Sequence, residues 1–427
     1  MMKRLNYARD KEVKSILKNR RFEVSEEIKS VVTEIIAEVK EKGDQALFHY
    51  TSKFDGADLN DLKVSQTEID KAVQTVDQNF LQSLNNAIQN IKEFHEKQLR
   101  DNWFSNQGQS MVGQLINPLQ RIGAYVPGGR AAYPSSVLMT VVPAQVAGVE
   151  EIVVVTPPGE DGQLNPYTLA ALKETGVDEV YKIGGAQAIA GLAWGTDTIK
   201  PVDKIVGPGN IYVTCAKKMV YGQVDIDMLA GPSEVLILAD DTARADYIAA
   251  DLLSQAEHDP MAVPMLVTTS KKVAEKTEAE VEKQLQELPD ADIAREAWEN
   301  NGLIIEVKDI EIGMELVNKL APEHFELVVE EPFSYLGLVK NAGAVFVGEY
   351  SSEPLGDYMA GPNHVLPTGG TAKFASPLNT DDFLKKSSLI YYQKEGLREV
   401  EKDVREIAEL EGLDAHAAAI KKRFKEK

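Results

Sequence analysis

Cysteine and long apolar runs are nearly absent from this 427-residue chain. Its one cysteine, Cys215, permits no internal disulfide and no thiolate metal cluster, which is typical of a protein of the reducing cytoplasm. No apolar run approaches the roughly 18 residues that a membrane-spanning helix needs. The opening segment MMKRLNYARDKEVK lacks the apolar core of a secretory signal. We therefore expect a cytoplasmic protein without a membrane span or an export signal.

Positive charge is also in short supply. The chain has 46 Lys and Arg residues against 67 Asp and Glu residues, which gives a formal net charge of -21 at pH 7. A field of this sign repels nucleic-acid phosphates and anionic lipids. We therefore expect neither a nucleic-acid partner nor a membrane partner.

The first quarter of the chain has helical periodicity. Ser65 and Glu68 have the spacing of a capping box, and apolar residues then recur at steps of three or four along one predicted helix. We predict a helical N-terminal region over residues 1–110. Nothing in this region points to chemistry.

From Arg121 onward the pattern changes to alternating strands and helices. Short β-branched runs such as EIVVVT and GLIIEV alternate with helical stretches, which is typical of βαβ units and largely parallel sheets. We predict an α/β fold with one parallel-sheet domain over residues 119–232 and a second over residues 233–379. The tail, residues 380–427, has two helical patterns and is too small to form a core alone. It must pack against something else.

Three predicted strands run into turns that contain glycine, at residues 126–129, 183–187 and 206–210. Open parallel sheets bind ligands at the carboxyl ends of their strands, and glycine lets a ligand approach the backbone closely. Glycine that merely turns the chain would give the same pattern. Neither a G-x-G-x-x-G fingerprint nor a P-loop is present, so the turns allow a nucleotide site without requiring one.

Polar residues with ligand chemistry stand at helix ends and in loops. Gln255 and His258 are three residues apart at the end of an apolar helix, so both side chains project from one face and could hold one ion. No H-E-x-x-H sequence occurs, which argues against a thermolysin-like protease. A single histidine at a helix end often only compensates the helix dipole. Further candidates for a site are Glu323, His324, Asp357, Glu411 and His416.

Other reactive residue types have simpler interpretations. His49 and His95 lie in helical patterns and have no acidic or histidine partner in a loop comparable to those of the other candidates, so we expect structural roles for both. Cys215 lies in the helix after the third glycine turn. We expect it to be a small buried apolar residue, because reactive cysteines need a partly exposed, electropositive setting.

Read together, several stretches resemble the histidinol dehydrogenase family. They follow one another in order from about residue 20 to residue 427: AYVPGGRAAYPSSVLM, GGAQAIAGLAWGT, KIVGPGN, DMLAGPSEVL, SQAEHDP, APEHFEL, GDYMAGPNHVLPTGGTA and EGLDAHAAAI. The family oxidises L-histidinol through L-histidinal to L-histidine, in the last steps of histidine biosynthesis. It reduces two NAD molecules in succession and binds zinc. The resemblance also implies two incomplete Rossmann-like domains, which would explain why the glycine fingerprint is missing.

The resemblance implies a role for each candidate residue. The ligands of one zinc ion per subunit would be Gln255, His258, Asp357 and His416. The acid–base pair would be Glu323 and His324. The contacts to NAD, at the glycine turns, would be Tyr125, Gln187 and Asn210. The contacts to histidinol would be Ser233, Glu411 and His324 together with the metal ligands. The family forms a homodimer, so the tail at 380–427 would reach into the partner's site.

The expected chemistry follows from these roles. His324 would accept the hydroxyl proton in the first oxidation, and Glu323 would activate water for the second. Zinc would anchor the imidazole and amine of histidinol. Two other interpretations stay open: a zinc-dependent hydrolase on an α/β scaffold with Glu323 as its base, and a non-catalytic acidic binding protein.

Overall fold

The computed structural model describes residues 2–7, 24–128 and 132–424. Gly129, the last residue of the first predicted glycine turn, lies outside the described residues. Within these ranges, no helix combines the length and the apolar composition that crossing a membrane requires.

The N-terminal region is helical after a short first strand. Its helices are α1 (Glu26–Lys42), α2 (Asp44–Asp55), α3 (Gln66–Val73) and α4 (Gln78–Glu96). The predicted capping box is present, because the Ser65 side chain accepts from the N–H of Glu68 and the Glu68 carboxylate accepts from the N–H of Ser65. The apolar repeat forms two helices rather than the one expected, since the Asp77 side chain caps α4 by accepting from the N–H of Asn79.

The first parallel sheet has the strand order β6–β5–β4–β7–β8. Its strands are β4 (Arg121–Tyr125), β5 (Glu151–Thr156), β6 (Glu179–Lys182), β7 (Lys204–Val206) and β8 (Asp225–Ile226). Its helices are α5 (Pro134–Ala147), α6 (Pro166–Glu174), α7 (Gly185–Trp194) and α8 (Ile211–Val220). The apolar faces of the N-terminal helices pack into this sheet's two cores: Ile91 joins Val137, and Leu47 joins Ile189.

The second parallel sheet has the order β1–β11–β10–β9–β12–β13. Its strands are β1 (Lys3–Asn6), β9 (Glu234–Ala239), β10 (Val263–Thr268), β11 (Leu303–Glu306), β12 (His324–Val328) and β13 (Ala344–Val347). Its helices are α9 (Ala245–Ala256), α10 (Lys271–Glu287), α11 (Asp292–Asn301), α12 (Ile310–Leu320), α13 (Pro332–Tyr335) and α14 (Glu353–Tyr358). The strand β1 departs from the expected helical start, because it pairs in parallel with β11. The α/β fold with two parallel sheets is confirmed; the exact domain limits stay a prediction.

A third, antiparallel sheet was not expected from the sequence. It has the order β14–β3–β2, formed by β2 (Trp103–Gln107), β3 (Ser110–Pro118) and β14 (Leu384–Tyr392). The tail therefore begins with a long strand and continues into α15 (Lys394–Leu410) and α16 (Asp414–Lys421). The tail helices pack on each other through the buried Ala408 and Ala417.

Candidate active site and metal centre

Glu323 and His324 are delivered by a strained turn at the amino end of β12. The preceding Ala321 closes α12 with a φ of 49°, and among the described residues no other non-glycine residue has a positive φ. Such a conformation is costly for alanine and recurs at functional sites. His324 then pairs with Val235 of β9 and Ala344 of β13, which fixes its backbone in the middle of the sheet.

The backbone of Glu234 holds both side chains of this pair. The Glu323 Oε2 accepts from the N–H of Glu234 at 2.8 Å, and His324 Nδ1 lies 3.0 Å from the Glu234 carbonyl oxygen. A carbonyl only accepts, so Nδ1 carries the proton in the neutral imidazole. His324 Nε2 lies 3.8 Å from Asp357 Oδ1 and is buried without a hydrogen-bond partner in the described part of the chain. Nε2 is therefore the ring nitrogen that is available to exchange a proton with a substrate.

The pair holds protons more tightly than isolated side chains do. Burial raises the pKa of Glu323 to about 8. Burial opposes the charged form of His324, but the carboxylate of Glu323, with Nδ1 and Oε2 3.8 Å apart, and that of Asp357 outweigh it and raise the pKa of His324 to about 10. In the chain without a cation, protons that isolated groups would release at neutral pH therefore stay in the site.

His258, Glu353 and Asp357 form a group able to hold a metal ion. One ligand atom from each lies within 4.8 Å of the others. Gln255 is buried at the end of α9, three residues before His258, and its Oε1 has no partner among the residues described. An imidazole, carboxylates and an unpartnered amide oxygen are donors that suit zinc. The residues present therefore fit such an ion.

Glu353 was missed by the sequence analysis. It lies on the first turn of α14, four residues before Asp357, so the two carboxylates share one helix face. Its Oε2 accepts from the Ser254 hydroxyl at 2.8 Å, and its N–H donates to Glu326 Oε1 at 3.1 Å. Its Oε1 is buried and unpartnered within the described ranges. The Glu-x-x-x-Asp spacing of Glu353 and Asp357 could have indicated from the sequence that both carboxylates lie on one helix face.

More buried acids stand behind Glu353. Burial raises the pKa of Asp251 to about 6, and burial together with Asp251 raises the pKa of Glu326 well above its usual value. Burial and the charge of Asp357 also raise the pKa of Glu353. Ionising all three of these buried carboxyl groups would cost a large desolvation and repulsion energy. Asp251, Glu326 and Glu353 therefore retain shared protons at neutral pH.

His364 adds a further imidazole beside Asp357. Its Nδ1 lies 3.9 Å from Asp357 Oδ1, and burial lowers the pKa of His364. Burial opposes the ionised form of Asp357, but His324, His364 and His258 outweigh it and lower the pKa of Asp357. Asp357 is therefore the carboxylate of the group that stays ionised.

A cavity of about 1100 Å³ opens onto these groups. His324, Asp357 and His364 line one side, and Lys97 and Arg100, just after α4, line another. This volume exceeds what one small amino alcohol fills, since ordinary ligand pockets span about 300–1,000 Å³. The cavity has room for a small substrate and for a further segment of protein chain.

The predicted cofactor residues meet at the carboxyl end of the first sheet. The Tyr125 hydroxyl accepts from the N–H of Gly185 at 3.1 Å, and burial raises the pKa of Tyr125 to about 12. Gln187 is buried, and its Oε1 lacks a partner in the described segments. Asn210 is exposed and caps α8 by accepting from the N–H groups that follow it. Gly207, at φ 108°, touches the Tyr125 carbonyl so closely that a Cβ would lie 2.2 Å from its oxygen.

The remaining predicted residues fall into two groups. Ser233 directly precedes Glu234 and is half-buried, so it lies beside the Glu323–His324 pair. Glu411 and His416 are exposed on the tail, and the group of metal-binding residues found in the described chain does not include His416. One chain therefore brings two of the four predicted metal ligands together, His258 and Asp357, and places Gln255 three residues before His258.

The residues expected to be structural behave accordingly. His95 is buried in α4, its Nδ1 lies 2.7 Å from the Ile91 carbonyl oxygen, and burial lowers its pKa. His49 is exposed and packs edge-on against Tyr50. Cys215 is buried in α8, and burial raises the pKa of its thiol. A thiolate nucleophile at this position is disfavoured.

Comparison with known proteins shows the family to which this chain is similar. The family model described as histidinol dehydrogenase matches residues 18–424. A histidinol dehydrogenase from Listeria innocua is 54% identical over 403 residues, covering 94% of each chain. One from Heliobacterium mobile is 53% identical over 396 residues, or 92% of this chain and 93% of that one. The crystal structure of histidinol dehydrogenase from Elizabethkingia anophelis superposes with a TM-score of 0.94 at 38% identity, covering 99% of this chain and 98% of that chain.

Proposed function

The chain belongs to the histidinol dehydrogenase family and is an oxidoreductase, and on that premise we propose that it converts L-histidinol through L-histidinal to L-histidine, using NAD and one zinc ion per subunit. The observation that carries the proposal is the metal-binding group of His258, Glu353 and Asp357 beside the buried Glu323–His324 pair. The site thus offers a set of residues able to hold a cation next to a base, with Asp357 and His324 lining the same cavity.

Gln255, His258 and Asp357 are the proposed zinc ligands from this part of the chain, with His416 supplied by a tail. Glu353 lies within the same reach and is a further candidate ligand. When bound, zinc supplies a cationic anchor for a basic substrate and lowers the pKa of the nearby His324 toward neutrality. The unpartnered oxygens of Gln255 and Glu353 support this assignment, because buried polar atoms without partners are rare.

In the first oxidation, His324 would accept the proton of the substrate hydroxyl at Nε2, and NAD held at Tyr125, Gln187 and Asn210 would supply the hydride acceptor. The bond from Nδ1 to the Glu234 carbonyl fixes the ring and keeps the Nε2 lone pair free. A base positioned in this way contributes about 10²–10⁴-fold to the rate.

In the second oxidation, water would have to add to the aldehyde carbonyl first, and a second NAD would supply the hydride acceptor. Glu323 is the proposed acceptor of the water proton, since a carboxyl group with a pKa of about 8 can take up and release a proton near neutral pH. Cys215 takes no part, because it is buried in α8 rather than exposed in the cavity.

The nicotinamide cofactor is proposed to bind at Tyr125, Gln187 and Asn210. The free Oε1 of Gln187 can accept a hydrogen bond there, and Gly207, which has no side chain, lies directly against the Tyr125 carbonyl. These features support a ligand that lies flat against the backbone at the carboxyl end of a parallel sheet.

We further propose a homodimer with shared active sites, acting in the cytoplasm. The tail exposes Ile390, Ile407 and Leu410 at 74%, 59% and 84% of their surface, which is unusual for side chains of this type. Glu411 and His416 are exposed on the same tail. A partner's tail seated in the cavity would bury these apolar side chains and bring His416 to His258.

The test combines a metal measurement with a cofactor assay. The purified protein should contain one zinc ion per chain. It should form two equivalents of NADH for each histidinol consumed, measured by the near-ultraviolet absorbance of NADH. A zinc-loaded protein that leaves NAD unreduced with both histidinol and histidinal would overturn the proposal.

A further inference from the structure

A buried ion pair lies directly beneath the third glycine turn, residues 206–210. Lys217 of α8 and Asp227, which follows β8, are in contact, and their side chains are 3% and 0% exposed. Neither residue belongs to the acid–base pair or the metal-binding group. Burying two charges has a large desolvation cost, and a pair of apolar residues often stabilises a protein as well or better. Stability alone therefore does not account for this pair.

Both charges are directed at the backbone of Gly207. The N–H of Gly207 donates to Asp227 Oδ2 at 2.7 Å, and Lys217 Nζ donates to the Gly207 carbonyl at 2.8 Å. The two polar groups of this residue are thus held by opposite charges on opposite sides. Charged partners make the stronger class of hydrogen bond, so the orientation of the peptide units around Gly207 is firmly fixed.

The conformation that the pair fixes also locates Tyr125. Gly207 has a φ of 108°, and a Cβ on it would lie 2.2 Å from the Tyr125 carbonyl oxygen. A rotation at Gly207 would therefore displace the end of β4 as well as Asn210, three residues further along the turn. Tyr125 and Asn210 are two of the three proposed contacts to NAD.

We propose that Lys217 and Asp227 are positioning residues for the cofactor: by holding Gly207 at both of its backbone groups they keep the 206–210 turn in the conformation that receives the nicotinamide dinucleotide. This inference rests on the proposed function, because it assumes that the turn binds NAD. Asp227 Oδ1 also accepts from the N–H of Met228 at 2.6 Å, so the same carboxylate anchors the start of the segment that leads to Ser233.

The test uses Asp227→Asn and Lys217→Met in the zinc-loaded full-length protein. Each should raise the KM for NAD about tenfold or more, since a charged hydrogen bond to the turn is lost, and should leave the KM for histidinol within about twofold. The double variant Lys217→Met/Asp227→Leu removes both charges and should recover the thermal midpoint, as neutral replacements of buried pairs often do. Its affinity for NAD should stay low.

A matched control is available in the same sheet, at the amino ends of its strands. Arg121 and Glu179, at the amino ends of β4 and β6, form an ion pair with side chains 8% and 27% exposed. Glu179→Gln should lower the thermal midpoint and leave the KM for NAD unchanged. If this control raises the KM for NAD as much as Asp227→Asn does, or if the double variant regains both stability and NAD affinity, the Lys217–Asp227 pair is only structural and the proposal is wrong.

Direct calorimetric titration with NAD separates this inference from the proposed function. A parent protein that binds no NAD would overturn both. If the parent protein binds NAD and every Lys217 and Asp227 variant binds it equally tightly, the inference alone is overturned and the dehydrogenase assignment stays intact.

Discussion

Replacing Glu323 by glutamine should separate the two oxidations and shift the pH dependence of the first one. Glutamine keeps the size of the side chain and removes its charge and its capacity to accept the water proton. The aldehyde step should therefore slow by about 10²–10⁴-fold, which is the usual contribution of a general base. The alcohol step should slow less, because His324 remains in place.

The size of the pH shift can be worked from the 3.8 Å between Glu323 Oε2 and His324 Nδ1. Two unit charges at this separation interact by about 4 kcal/mol at an effective dielectric constant near 20, which corresponds to a pKa difference of about 3. The carboxylate of Glu323 raises the pKa of His324. Without it that pKa falls by up to about 3, so the neutral base is present at lower pH. The acid limb of the alcohol-oxidation profile should move toward lower pH.

Single-turnover measurements of NADH formation, begun from histidinol or from histidinal at a series of pH values, provide the assay. Thermal unfolding of the variant serves as the control for a correctly folded chain. His324→Asn should slow the alcohol step at least as much as Glu323→Gln does. Equal losses of both steps in Glu323→Gln, or an acid limb that moves to higher pH, would refute the division of roles between the two residues.

The remaining predictions concern the thiol, the metal and the assembly. Cys215→Ala should retain both oxidations and lower the free energy of unfolding by about 1–2 kcal/mol; loss of aldehyde oxidation in the folded variant would revive a covalent route. Chelation of the metal should abolish activity, and metal analysis should show that His258→Ala binds zinc far more weakly. Zinc should also be lost on acidification, because a ligating imidazole must be neutral. Full activity of the metal-free protein would contradict the proposed zinc site. Inactive His258→Ala and His416→Ala chains, mixed after dissociation and reassembly, should regain roughly a quarter of parent activity, because half of the dimers are mixed and one of their two sites has no defect. Recovery should be nil after proven subunit exchange if each chain completes its own site.

The sequence was sufficient to predict secondary-structure elements that are determined by residues close together along the chain. Parallel strands buried on both faces have short β-branched runs, and the capping box at Ser65 lies within four residues, so both were visible without any tertiary information. Gln255 and His258 were paired from helical spacing alone; in the structure Gln255 lies in the last turn of α9 and His258 lies two residues beyond the end of that helix. Glu353 was visible in the same way and was overlooked.

The antiparallel sheet could not be predicted for physical reasons. Its strands β3 and β14 pair Pro118 with Leu384 and Ser110 with Tyr392, so partners lie more than 250 residues apart in sequence. All five residues of β2 are exposed within one chain, and so is most of β14. A strand without a buried face has no alternation of apolar and polar residues, and its pairing is set by backbone hydrogen bonds that leave no sequence pattern.

The position of the site relative to the sheets follows from how the chain returns from the second sheet to the first. The proposed cofactor residues lie at the carboxyl end of the first sheet, whereas Glu323 and His324 lie at the amino end of the second. After His364, the chain buries Val365, Leu378 and Phe383 in the core of the first sheet, and the Asn363 side chain donates to the Met139 carbonyl of α5 at 2.7 Å. The loop that carries His364 is therefore anchored in the cofactor-side core. Because buried apolar side chains pack at near-crystalline density, a shift of this loop would disturb both halves at once. The packing therefore couples the proposed substrate side of the site to the proposed nicotinamide side.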